Sequence, residues 1–71
     1  MIKVGDTVQW RGAWGSSSPQ KATIESIEVT RRPREKYGNS VNEVDEELVR
    51  MNRVVFNLTN GHWCYSSQID L

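Results

Sequence analysis

Hydrophobic and polar positions alternate at both ends of this chain, and hydrophobic positions become sparse in the middle. Near the start, "VGDTVQW" sets Val4, Val8 and Trp10 on one side, with Gly5-Asp6 as a tight turn before the alternation begins. That pattern predicts a first strand. Residues 11–20, "RGAWGSSSPQ", read as a loop by their Gly, Ser and Pro content. In "KATIESIEVT", Ala22 and Ile24 are in phase, but Ile27 and Val29 fall one step out. A phase change inside one strand predicts a bulge near Glu25-Ser26, where the strand bends around a barrel corner.

The segment "TRRPREKYGNSVNEVDEELVRMNR" is dominated by charge and reads as a polar and helical insertion at about 30–53. Within it Val41, Val44, Leu48 and Met51 fall at helical spacing. Asp45 suits an N-cap, Glu46 and Glu47 the first turn, and Arg50 and Arg53 the end. A short helix over about 45–52 is expected. Ser40 with Glu43 offers a rival capping box, so the start stays open between Ser40 and Asp45. The helix is expected to bury Val44, Leu48 and Met51, and an outward patch of Val55 and Cys64 is one possible seat for it.

The clearest local signal is "VVFNLT", Asn60-Gly61, "HWCYSS". Asn-Gly between two apolar runs marks a two-residue type I′ hairpin, in which both turn residues take positive φ. Such a loop pairs Leu58 with Trp63, Asn57 with Cys64 and Phe56 with Tyr65. Period two then places Val54, Phe56, Leu58, Trp63 and Tyr65 inside, and Asn57, His62 and Cys64 outside.

Length limits what a site can be. A chain of 71 residues is one domain and buries roughly 60% of its unfolded surface, so most apolar side chains are needed for packing. Nine basic and nine acidic residues cancel, so no overall field draws the molecule to nucleic acid or to an anionic membrane. The single cysteine forms no internal disulfide, and "MIKVGDTVQW" is neither a signal sequence nor an apolar span. A cytoplasmic location away from membranes is the expectation.

Asn57, His62 and Cys64 are the residue types of a papain-like nucleophilic site. On an outward sheet face they lack a helix N-terminus or cation to lower the thiol pKa, and they lack an oxyanion hole. Structural zinc wants four ligands, and one Cys with one His supplies two, so no metal is expected. "RGAWGSSS" lacks the lysine-hydroxyl ending of a phosphate loop, and Glu43, Asp45, Glu46 and Glu47 are accounted for by helix start preference. No catalytic residue or cofactor is expected, and the chain reads as a non-enzyme.

A strand opening with "VGDTVQW", a Gly-containing loop, the bent strand "ATIESIEV" and a closing hairpin followed by "SSQIDL" resemble the small SH3-like barrels of the KOW and Tudor type. The chain also looks like short bacterial proteins ending in an Asn-Gly-His-Trp hairpin. The resemblance covers roughly residues 4–29 and 54–71, and Gly12 and Gly15 match the KOW glycines loosely. It implies a mainly β fold, a small antiparallel SH3-like barrel of about five strands with one short helix before the C-terminal hairpin. It also implies a non-catalytic binding or adaptor module for a protein or peptide, through aromatic residues of which Trp14 is the expected exposed one. The alternative is nucleic acid, held by Arg31, Arg32, Arg34 and Lys36, with Tyr37 as a stacking partner and Lys21 and Trp14 extending the surface.

Overall fold

The structure is a computed structural model and describes residues 1–12, 18–33, 35 and 37–70. Trp14, Arg34 and Lys36 therefore lie outside the described residues. In chain order the elements are β1 (Ile2–Lys3), β2 (Thr7–Trp10), β3 (Gln20–Val29), β4 (Asn39–Val41), β5 (Glu43–Val44), α1 (Glu46–Arg50), β6 (Val54–Leu58), β7 (Trp63–Tyr65), a 3-10 turn (Ser66–Gln68) and β8 (Ile69–Asp70).

Pairing is antiparallel throughout, in the order β7-β6-β3-β2-β8, with β4 on the far end of β3 and β1 paired to β5. Strands β7 and β8 lie at opposite ends of that order, yet only the 3-10 turn joins them. Three residues at about 2 Å rise each span only ~6 Å, so the sheet has to curl until its ends meet. The expected small, mainly β, barrel-like architecture with one short helix before the last hairpin is what forms.

Backbone and side-chain hydrogen bonds of Gln68 hold the closure. Gln68 Nε2 donates to the Arg11 carbonyl at 3.1 Å, Arg11 N–H donates to the Gln68 carbonyl at 2.8 Å, and Tyr65 N–H donates to Gln68 Oε1 at 3.0 Å. One step away, the buried Ser66 hydroxyl donates to the Val54 carbonyl at 2.6 Å and accepts from Val54 N–H at 3.0 Å. It supplies the backbone partner that the end of a strand would otherwise lack.

The bend in β3 falls where the phase change put it, because the register against β6 shifts between Ile24 and Ser26. Ile24 and Ile27 then both face inward and are fully buried. They join Trp10, Ala22, Val54, Phe56, Leu58, Cys64 and Ile69 in one core.

Three expectations need correcting. Val4 does not share a face with Val8 and Trp10. It sits exposed in the turn after β1, where Asp6 accepts the Lys3 N–H at 2.9 Å. The helix begins after Asp45, as one of the two expected starts had it, while Ser40 belongs to β4. Its buried residue is Val49, at 4% exposure, and Met51 stands out at 47% beyond the helix end. The helix packs beside the 3-10 turn, and the expected outward patch of Val55 and Cys64 does not form, because Cys64 lies in the same core as Val49 and Val55 is buried at 2% exposure.

The last correction concerns the hairpin. Asn57 pairs with Trp63, Phe56 with Cys64 and Val55 with Tyr65, one step off the expected register. Within the loop only Gly61 has positive φ, +84°, so Thr59, Asn60 and Gly61 form a three-residue loop ending in a left-handed glycine. Thr59 N–H is drawn to the Thr23 carbonyl at 3.0 Å, and Asn60 Oδ1 accepts the His62 N–H at 3.1 Å. A slip of one residue exchanges faces. Cys64 therefore goes inside, and Trp63 goes outside at 37% exposure.

Candidate functional site

The corrected register separates the Asn57, His62 and Cys64 trio. Asn57 stays on the outer face, Cys64 has no exposure, and His62 moves to the Cys64 side, opposite buried Leu58, where it is exposed at the end of the ladder. Burial pushes the Cys64 thiol from its ordinary 9.0 up to about 12, so it is no thiolate nucleophile near neutral pH. The His62 ring instead lies 5.0 Å from the Trp10 ring, tilted by 33°. Among the described residues no three His, Cys, Asp or Glu side chains gather as metal ligands would. Among them, too, no helix is long and apolar enough to cross a membrane.

In place of the trio, the register builds a different row on the outer face. Ser26 on β3, Asn57 on β6 and Trp63 on β7 stand side by side. The next row places Glu28, Val55 and Tyr65 together, with Ser40 of β4 beyond Glu28. Half-buried Asn57 ties the rows together, since its Nδ2 donates to Ser26 Oγ at 2.9 Å and to Glu28 Oε2 at 3.2 Å. Trp63 and Tyr65 meet edge to face, with ring centroids 5.1 Å apart and planes at 87°.

Between this row and the hairpin tip lies an open cleft of about 240 Å3, walled by Glu25, Ser26, Asn57, Leu58, Gly61, His62 and Trp63. Its existence follows from two local features. The bulge lifts Glu25 out of the ladder, and the three-residue loop places His62 and Trp63 on the facing side. Cofactor and small-molecule pockets run from roughly 300 to 1,000 Å3, so the cleft suits a single side chain better than a whole cofactor.

The basic residues fall elsewhere. Lys21 is exposed near the start of β3, whereas Arg31 and Arg32 are exposed just past its end. At about 3.3 Å per residue the strand between them accounts for ~26 Å, so Lys21 does not extend the arginine patch. The anchor of that patch is the buried Thr30. Its N–H donates to the Arg53 carbonyl at 2.8 Å, its hydroxyl lies 2.7 Å from the Arg32 carbonyl, and its own carbonyl accepts Arg53 Nε at 3.0 Å. Arg53 is thereby held in place while Arg31 and Arg32 project, with Tyr37 at 73% exposure on the same return segment.

Sequence reasoning gave these residues other roles: Glu25 and Ser26 only as the bulge, Asn57 only beside His62 and Cys64, and Trp63 as a core residue. The bulge was legible and could have singled out Glu25, but the hairpin register could not be read without the fold. Compared with family models, with curated proteins and with solved structures, the chain matches none.

Proposed function

We propose that this chain is a non-catalytic binding module that docks a segment of a protein partner on the outer face of β3, β6 and β7. The observation that carries the reading is the cleft beside Trp63. A large aromatic that the fold could have buried is turned outward at the rim of a side-chain-sized hollow. Aromatic residues beside desolvated hollows are the common anchors of protein interfaces. The resemblance to Tudor-type barrels supports the same role.

Titrating labelled protein with short peptides of neutral, acidic and basic composition tests it. Amide shifts at Ser26, Asn57 and Trp63 that vanish in Trp63→Ala are the expected outcome. A lack of shift there with every peptide overturns the reading.

A second reading has its own support. Arg31 and Arg32 are exposed and form no ion pair among the described residues, which suits nucleic-acid phosphates. A short oligonucleotide would then move the Arg31 and Arg32 amides at low salt, with the shifts fading as salt rises.

A further inference from the structure

We propose that the cleft between the β3 bulge and the β6–β7 hairpin holds an arginine side chain of the partner, its guanidinium set against Glu25, Asn57 and Trp63. The inference rests on the docking reading above and names the chemistry that this surface selects.

The ground for it is an inventory of donors and acceptors. Both amide hydrogens of Asn57 are engaged inside the protein, one by Ser26 Oγ and one by Glu28 Oε2. Because a carboxylate only accepts, the Glu28 contact fixes which amide atom is nitrogen and leaves Oδ1 as what Asn57 presents outward. Oδ1 accepts no hydrogen bond among the described residues. The Glu25 carboxylate has neither a hydrogen bond nor an ion pair among them. No lysine or arginine lines the cleft among the described residues. Ser26 and His62 can serve as donor or acceptor, so neither opposes a donor-rich guest.

An anionic guest would meet Glu25 head on, and a neutral one would leave its charge unanswered. A cation with several N–H groups matches the lining. Between the two cationic side chains, geometry favours arginine. A lysine ammonium is compact and strongly hydrated. A guanidinium is planar, weakly hydrated, carries five donors in a fork that fits a carboxylate, and stacks on aromatic faces. Trp63 supplies such a face at the rim, and about 240 Å3 is room for one side chain.

The test uses three blocked pentapeptides, Gly-Gly-X-Gly-Gly, in which X is arginine, lysine or citrulline, the neutral isostere of arginine. Affinity is read from the amide shifts of Ser26, Asn57 and Trp63. The arginine peptide is expected to bind at least about tenfold more tightly than the citrulline peptide, as loss of a charge-assisted fork implies. Glu25→Gln, a change at an exposed bulge position, should erase that preference while the amide spectrum stays folded. Equal binding of arginine and citrulline overturns the charge assignment yet leaves the docking face standing. Lysine binding as tightly as arginine overturns the guanidinium assignment. If none of the three shifts the cleft, the arginine inference fails, and a neutral or acidic peptide from the panel above that still moves the same amides keeps the docking reading intact.

Discussion

Cys64 stands directly opposite Phe56 in the β6–β7 ladder, and neither side chain has any exposed surface. The thiol is therefore a core group, and two consequences can be measured. Alkylation by iodoacetamide near neutral pH should proceed in the folded protein only through unfolding, and in urea at the rate of a free thiol. The folded thiol holds its proton up to about 12, while the unfolded thiol releases it near 9.0. Stability from this group is thus complete below pH 9 and declines as pH rises toward 12, by up to ~1.4 kcal/mol per unit. Urea unfolding at about pH 8 and about pH 10, compared between the wild type and Cys64→Ala, isolates the effect. The same pH dependence in both proteins would contradict it.

Loop geometry gives a second test. Only Gly61 has a positive φ in the hairpin loop, so Gly61→Ala should cost ~1–2 kcal/mol through left-handed strain. Asn60→Ala loses only its exposed bond to the His62 N–H and should cost about 0.5 kcal/mol. A two-residue type I′ loop would penalise both positions, because both would need positive φ. Chemical denaturation of the two variants distinguishes the loops.

The helix can be checked by a pair of charge insertions. Val49→Asp places an unpaired carboxylate at a buried position and should destabilise by a few kcal/mol. Met51→Asp, at an exposed position, should stay within about 0.5 kcal/mol of wild type. The reverse order in thermal unfolding would place the helix on the wrong face.

Ser66 holds both the N–H and the carbonyl of Val54 from a buried position. Ser66→Ala strands two backbone groups at once, and a loss of ~1–3 kcal/mol is expected. Ser67→Ala, its exposed neighbour, serves as the control, and equal midpoints in urea for the two variants would argue against the clamp.

Much of the fold was legible because it is written in local chemistry. The Ile24 to Ile27 phase change located the bulge, since period two holds only while the ladder is unbroken. Asp45 followed by Glu46 and Glu47 marked one of two possible helix starts, because acidic side chains suit an N-terminal dipole, and the structure takes that one and not Ser40. The helix face was misjudged at Met51. In so short a helix, the neighbour it packs against decides which residue is covered, and that neighbour is the 3-10 turn some fifteen residues later in the chain.

What the sequence determined by itself was strands β2, β3, β6 and β7, the bend in β3, the presence of a turn at Asn60-Gly61 and the short helix, all properties of neighbouring residues. Strands β4 and β5, which carry Val41 and Val44, fall in the segment that reads as a polar and helical insertion. Only the tertiary structure decided whether that turn has two residues or three. Thr59 N–H is taken up by the Thr23 carbonyl from a strand far away in sequence, and Phe56 meets the small Cys64 side chain in the core. That single step of register turned Cys64 inward and Trp63 outward, and it created the cleft. A side chain's face in a hairpin is fixed by how the two strands align, and here a long-range hydrogen bond and the packing of the core chose the alignment.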